Sequence, residues 1–359
     1  MPAPPATDLF LALTPERVLE AVEGAGLPCR PLCYPLNSFE NRVYEVELAD
    51  RTRVVAKFYR PQRWSEAQIL EEHALLAELI DDEIPVVAPL PFPGGGTLRS
   101  IAGILYTVFP RRGGRAPDDL DATLSARLGR LVARLHNVGA RRPFAHRLRI
   151  GTATVRADLA WLAAHDRVPR SVAERYFPLA TAICDEADRA LAAVPTEAIR
   201  LHGDLHAGNL LLRDGLFHVV DLDDSLAGPA VQDAWLLFPG RDRDSLGLRA
   251  AFLDAYEEMR AFDRRTLALV EPLRGLRMVR HAGWIARRWN DPIFPRTWPE
   301  FGTDDHWLRE VEGLTEQLAW IRGERRGEPD DPAAAPAADA NDEPEPELTN
   351  RDFFWDWNG

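Results

Sequence analysis

The stretch His202-Gly203-Asp204-Leu205-His206-Ala207-Gly208-Asn209, followed by Asp221-Leu222-Asp223-Asp224, constrains this chain more than any other. Between its halves lie Leu210-Leu211-Leu212-Arg213 and Leu216-Phe217-His218-Val219-Val220, joined by Asp214-Gly215. Asp-Gly between two apolar runs is the strongest short hairpin signal. A two-residue hairpin sets Arg213 against Leu216 and so Asn209 against Val220. Asn209 and Asp221 then sit one residue apart at the open end, with Cα atoms roughly 5–6 Å apart. Two oxygen ligands on one rigid ribbon end suit a hard cation such as Mg²⁺, which keeps phosphate and water for its other positions. Asp204, on the loop entering the hairpin, faces the same point from another side.

Asp-x4-Asn followed by a strand-borne Asp resembles the protein-kinase set of hydroxyl-orienting base, metal ligand and second metal ligand. His-Gly-Asp stands where kinases have His-Arg-Asp, and Asp-Leu-Asp where they have Asp-Phe-Gly. That form is similar to the aminoglycoside-phosphotransferase branch of the kinase-like fold.

With 359 residues, the chain is long enough for two lobes sharing a cleft. No apolar run approaches the roughly 18 residues that a membrane helix needs, and residues 1–8 lack the pattern of a secretory signal. Three cysteines do not suggest a disulfide framework, and Cys29 and Cys33 lack a second ligand pair for zinc. A reducing cytoplasm is expected. The net charge of −13 is uneven: residues 327–359 hold ten acids and one Arg, which leaves −4 for residues 1–326. This balance argues against nonspecific nucleic-acid binding.

Of 43 basic residues, only Lys57 is a lysine. A site that needs a compact ammonium on a thin stem cannot substitute a planar guanidinium, so Lys57 is a candidate for such a site. It falls in Val54-Val55-Ala56-Lys57, on the return strand (52–59) of a hairpin that begins at Arg42, and echoes the kinase Val-Ala-Ile-Lys pattern, whose lysine meets the α- and β-phosphates. The preceding loop, Leu36-Asn37-Ser38-Phe39-Glu40-Asn41, stands where kinases cover phosphate with glycines, yet has none. It reads equally as a phosphate contact through Ser38 or Asn37 and as a polar turn.

Thr14-Pro15 starts a first helix and residues 34–60 read as strands. Ser65-Glu66-Ala67-Gln68 is a capping box opening a helix with Ile69, Leu75, Leu76, Leu79 and Ile80 as its apolar face. A helix glutamate positions the lysine in kinases. Glu72 is preferred over Glu71 because it lies closer to the buried stripe. A hairpin turning near Ala102-Gly103 leads to a hinge at 109–114, and helices fill most of the chain from about 118. His136 is expected to be a packed, hydrogen-bonded residue. Asp233 is expected to cap its helix or brace the His202 loop. The run Arg280–Trp289 reads as core packing with a solvated face, or as the border of a substrate cleft. Residues 327–348 lack the apolar bulk to order and read as a tether for Phe353-Phe354-Trp355-Asp356-Trp357, a candidate docking peptide.

Leu36–Val43, Lys57-Phe58-Tyr59-Arg60-Pro61 with Glu71-Glu72-His73, the His202–Asn209 loop, and Asp221–Asp224 with Gly228–Asp233 together resemble the bacterial stress response kinase A family, over about residues 9–320. The resemblance implies an α+β, bilobal protein-kinase-like fold with an antiparallel sheet lobe (1–110), a mainly helical catalytic lobe (111–326) and a tail (327–359). It implies a monomeric cytoplasmic kinase that uses ATP and Mg²⁺ to phosphorylate Ser/Thr hydroxyls on protein substrates during stress. Asp204 is then the proton acceptor, Asn209 and Asp221 the magnesium ligands, and Ser38 an ATP contact. From the residues themselves, Asp223 is expected to assist with a second ion. Lys57 holds phosphate and Glu72 positions it. The rival is a small-molecule kinase acting on an aminoglycoside or choline-like alcohol, which shares this machinery.

Overall fold

A computed structural model describes residue 10 and residues 12–325. The tether and aromatic end expected at 327–359 lie outside the described residues. Helix α1 (Pro15–Gly24) begins as its sequence suggests, with Pro15 in the first turn and the Thr14 hydroxyl accepting from the Arg17 amide. Strands β1 (Cys29–Leu36), β2 (Arg42–Leu48) and β3 (Arg53–Phe58) follow, then helix α2 (Glu66–Asp81) and strands β4 (Arg99–Ile101) and β5 (Ile104–Pro110). They form a five-stranded sheet in the order β1-β2-β3-β5-β4, every pairing antiparallel. The side chains of Val18 and Val22 in α1 share one core with Val46, Val54, Phe58, Tyr106 and Val108 of the sheet.

Strand β1 starts five residues before the expected strand region. It is an edge strand, so Pro31 and Pro35 remove no central ladder bond. Leu32, Tyr34 and Leu36, two residues apart along the strand, stay exposed.

The Ser65 capping box of α2 forms in full. Leu75, Leu76 and Leu79 are buried, but Ile80 is 46% exposed and does not belong to the inner face. The buried face joins the core of the second lobe rather than that of the sheet. Thus α2 ties the lobes together and carries Glu72 into the space between them.

The second lobe comprises α3 (Ala122–Gly139), α4 (Ala153–Ala164), α5 (Arg170–Ala193), the β6 (Ile199–Leu201) and β9 (Leu226–Gly228) pair, the β7 (Leu210–Arg213) and β8 (Leu216–Val219) hairpin, α6 (Val231–Leu237), α7 (Arg243–Glu257), α8 (Val270–Arg288), α9 (Ile293–Thr297) and α10 (Asp304–Ile321). One of its cores packs α3, α6, α7 and the hairpin, with Leu128, Leu210, Trp235 and Phe252 buried. The other packs α4, α5, α8 and α10 around Leu162, Tyr176, Ile285 and Trp307. The hairpin therefore stands on a rigid helical base, as the bilobal α+β reading requires.

Candidate active site

The β7–β8 ribbon has the register that its turn dictates. Arg213 lies opposite Leu216 and Leu210 opposite Val219, and the Val220 amide donates to the Asn209 carbonyl at 3.0 Å. Asp214 and Gly215 both have positive φ, 51° and 74°, the signature of a tight two-residue turn. Asn209 and Asp221 thus end side by side. Asp221 itself sits at φ 59° and ψ 62°. A non-glycine residue in that region is uncommon, and here it turns the chain off the ribbon at the site.

The loop carrying Asp204 is held from below by Asp233. One Asp233 oxygen accepts from the His202 amide at 3.0 Å and the other from the Gly203 amide at 2.8 Å. His136, buried in α3, lies 3.0 Å from the same carboxylate and 2.9 Å from the Tyr256 hydroxyl. Asp233 braces the loop as expected, and His136 is a packed hydrogen-bonding residue. Gly203 has φ +87°, and a Cβ there would lie 2.3 Å from the Asp224 carbonyl oxygen, so only glycine fits.

From the sheet lobe, Lys57 reaches across with its side chain 7% exposed, placing Nζ 2.8 Å from an Asp221 oxygen and 3.3 Å from Asp223. Burial works against its charge, but Asp221, Asp223 and Glu72 outweigh it and raise its pKa well above the ordinary lysine value. It is a fixed cation at neutral pH.

Glu72 does not touch Lys57. Its carboxylate pairs with Arg147 at 2.9 Å, in a buried contact. Arg147 also donates to the carbonyl oxygens of Gln68 and Asp223 and stacks over Trp64 at 4.6 Å. The expected direct hold on Lys57 is therefore corrected: the incoming guanidinium takes the carboxylate, and Glu72 acts on Lys57 through its field. Burial raises the Glu72 pKa to about 7 against the pull of Lys57 and Arg147. Glu71, the alternative, instead accepts the amides of Ala145, His146 and Arg147 and so fixes the loop that delivers Arg147.

Asp204 is buried, with Arg277 at 2.8 Å and His206 at 3.6 Å. Burial pushes its carboxyl up, but Arg277, His206 and His202 outweigh that and hold it well below the usual range. Asn209 donates its amide hydrogen to the Asp204 main-chain carbonyl at 2.9 Å, which ties this metal-ligand candidate to the loop that carries the candidate base.

The Leu36–Asn41 loop lines the cleft and is pinned down. Ser38 accepts from the Asn41 amide at 3.3 Å, and Asn41 donates to Asp223 at 3.1 Å. Glu40 accepts from the Trp284 indole at 2.7 Å and pairs with Arg60 at 3.1 Å and Arg288 at 2.8 Å. Phe39 packs on Trp298 with centroids 5.1 Å apart. These partners, and the roles of Arg63, Arg147 and Arg277, left no mark in the sequence. In a chain whose basic residues are all Arg but one, no single arginine stands out.

Ser38, Lys57, Glu72, Asp204, Asn209 and Asp221 all border one cleft of about 400 Å³, walled on its far side by Phe109–Arg112 and Gly114. That volume is within the range for small ligands and cofactors. A second cavity of about 130 Å³ lies beyond Asp204, against α8. No cluster of three or more His, Cys, Asp or Glu poised for a metal occurs among the described residues. Asn209 and Asp221 offer a two-oxygen set instead, which fits an ion that takes most of its ligands from phosphates and water.

The chain matches the model of the phosphotransferase enzyme family over residues 33–270. It is 41% identical over 320 residues to stress response kinase A of Salmonella typhi, covering 86% of this chain and 93% of that protein. The same figures apply to the serine/threonine protein kinase RdoA of Salmonella typhimurium strain LT2. Stress response kinase A of Escherichia coli K12 is 39% identical over 318 residues, with the same coverage. Among solved structures, amicoumacin kinase in complex with AMP-PNP, Ca²⁺ and its ligand superposes with a TM-score of 0.68 at 19% identity, covering 88% of this chain and 96% of that one. A microcompartment-associated aminopropanol kinase gives 0.64 at 19%, covering 85% and 95%. These two likenesses establish the bilobal kinase-like fold. Family match and close relatives agree with the cleft between the lobes: the chain is a kinase belonging to the phosphotransferase enzyme family, alongside the stress response kinase A proteins.

Proposed function

We propose that this kinase transfers the γ-phosphoryl group of ATP to Ser/Thr hydroxyls of a protein substrate. The observation that carries the reading is that Asp204 borders both the larger cleft and the smaller cavity beyond it. Nucleotide in the first and a hydroxyl in the second would meet at its carboxylate.

In this reading Lys57 holds the phosphates, Ser38 and its loop cover them, and Asn209 and Asp221 hold magnesium. Bound magnesium supplies neutralisation of the charge that develops on the transferring phosphate. The depressed pKa of Asp204 makes it a weak base, which suits a loose transition state in which the carboxylate orients the hydroxyl and accepts its proton late. Glu72 and Arg147 fix the floor beneath Lys57.

A protein acceptor is favoured by size. A cavity of about 130 Å³ is well below the roughly 300 Å³ that drug-sized ligands need, so it admits a side chain rather than a multi-ring antibiotic. The naming of a 41% identical relative as a serine/threonine protein kinase points the same way, and the naming of others as stress response kinases supports a stress role.

A small amino alcohol also fits by volume, so the test compares acceptors. With labelled ATP and Mg²⁺, label is expected on Ser or Thr of a generic protein, lost in Asp204→Ala while that variant still binds nucleotide. Label confined to amino alcohols would replace the protein-kinase reading. Near-normal turnover by Asp204→Ala would overturn its assigned role.

A further inference from the structure

The cavity beyond Asp204 carries more positive charge than transfer to a neutral alcohol requires. Arg63, Arg149, Arg277, Arg280 and Arg288 all contribute to its wall. Three have partners: Arg63 pairs with Asp223 and Asp224, Arg277 with Asp204, and Arg288 with Glu40. The side chains of Arg149 and Arg280 make no ion pair or hydrogen bond among the described residues. The acids on the wall, Asp204 and Asp224, are already matched to guanidinium groups. His281 adds no charge at neutral pH, because burial and Arg277 push its pKa well below the ordinary value.

Arg280 is half-buried on α8, three residues after Arg277, so the two lie on one face of the helix. Arg149 comes from the segment bridged to Ala227, across the cavity. A half-buried guanidinium without a counter-ion is costly, and an arriving anion relieves that cost. An amine would meet repulsion at the same point.

Resting on the phosphoryl-transfer reading above, we propose that the acceptor carries an anionic group, carboxylate or phosphate, seated between Arg149 and Arg280 while its hydroxyl faces Asp204. On a protein substrate this is a Ser or Thr flanked by acidic residues. The hydroxyl oxygen forms the new bond to the γ-phosphorus as the bond to the ADP oxygen breaks. ADP leaves with the electron pair, and the hydroxyl proton passes by way of Asp204 to water.

The test uses the full chain, Mg-ATP and matched Ser peptides flanked by Asp/Glu, by neutral residues or by Lys, with glycerate and glycerol phosphate as small anionic alcohols and ethanolamine as a cationic one. The acidic peptide should lead the Lys-flanked one by about ten-fold or more in kcat/KM, and the lead should shrink at high salt. Arg280→Glu should lower kcat/KM for the acidic peptide about ten-fold, chiefly through KM, and narrow the gap to the Lys peptide. Arg149→Glu, at an exposed position that does not challenge folding, should act in the same direction. Equal or better use of the Lys peptide, or ratios unchanged in both variants, would overturn the proposal while leaving the protein-kinase reading intact. Label on the anionic alcohols alone would keep the arginine pair and remove the protein acceptor. No label on any acceptor would remove both.

Discussion

Arg147 and Glu72 form a buried ion pair at 2.9 Å, their side chains 0% and 1% exposed, with Glu72 close enough to Lys57 to help raise its pKa. Breaking a buried pair from one side leaves an uncompensated charge and costs roughly 3–5 kcal/mol. Arg147→Met should therefore unfold at markedly lower urea concentration than the parent. Burial already raises Glu72 to about 7, above its ordinary 4.5. A raised carboxyl contributes stability that is full below 4.5 and lost as pH rises through about 7. Removing the counter-cation raises it further, so the deficit of Arg147→Met should grow from about pH 6 to about pH 8. A deficit constant across that range would mean that Glu72 is not the group left stranded.

Glu40 behaves with the opposite sign. Burial would raise its carboxyl, but Arg63, Arg288 and Arg60 overcome that and lower it to about 2 from 4.5. A lowered carboxyl contributes stability present above 4.5 and lost as pH falls through about 2. The shift corresponds to roughly 3 kcal/mol at neutral pH. Glu40→Gln should be destabilised by about that amount at pH 7, with the gap closing as both proteins are titrated toward pH 3. Because Glu40 joins the phosphate-side loop to Trp284 and Arg288, the same variant should also raise the KM for ATP. Parallel stability curves for parent and variant would remove Glu40 as the cross-lobe anchor.

How much of this was legible depended on where each constraint resides. The ribbon register and the Ser65 cap are local: turn chemistry and helix-start signals of a few residues determine them, and each formed as read. Asp233 could be read only as a cap or a brace, because the amides it accepts lie about 30 residues earlier in the chain. Lys57 stood out through its rarity and its place in Val54-Val55-Ala56-Lys57 together. The partner of Glu72 was illegible because Arg147 arrives from 75 residues away and looks like any other arginine. Strand β1 was half hidden because Pro31 and Pro35 read as breakers, and only its place at the sheet edge tolerates them. The Leu36–Asn41 loop could not be decided from sequence because its anchors, Trp284, Arg288 and Trp298, lie on the other lobe.

The Asp233 brace makes a prediction that separates positioning from chemistry. Asp233→Ala strands the His202 and Gly203 amides and the His136 ring in a buried pocket. Each unsatisfied buried group costs about 1–3 kcal/mol, so the variant should be strongly destabilised. Asp233→Asn keeps the shape but turns one of the two accepting oxygens into a donor, so it should be destabilised less than Asp233→Ala, bind nucleotide nearly normally and lose mainly kcat as the Asp204 loop loosens. Gly203→Ala should resemble Asp233→Ala, since its methyl group would collide with the Asp224 carbonyl oxygen. A fully active Gly203→Ala would contradict the close approach of these two loops.

Lys57 supplies the sharpest test of why a single lysine persists. Its ammonium lies between Asp221 at 2.8 Å and Asp223 at 3.3 Å, nearly sealed from solvent. Lys57→Arg keeps the charge, so the pairing with both carboxylates and the melting temperature should change little. The longer planar fork, however, cannot present one compact charge to the cleft and would occupy space that phosphates need. We expect kcat/KM for ATP to fall by about 10²-fold, and Lys57→Met to fall further, while Asp223 keeps its pairing with Arg63. Equal activity of Lys57→Arg and the parent would show that charge alone suffices at this position. The lone lysine would then be an accident of composition rather than a demand of the site.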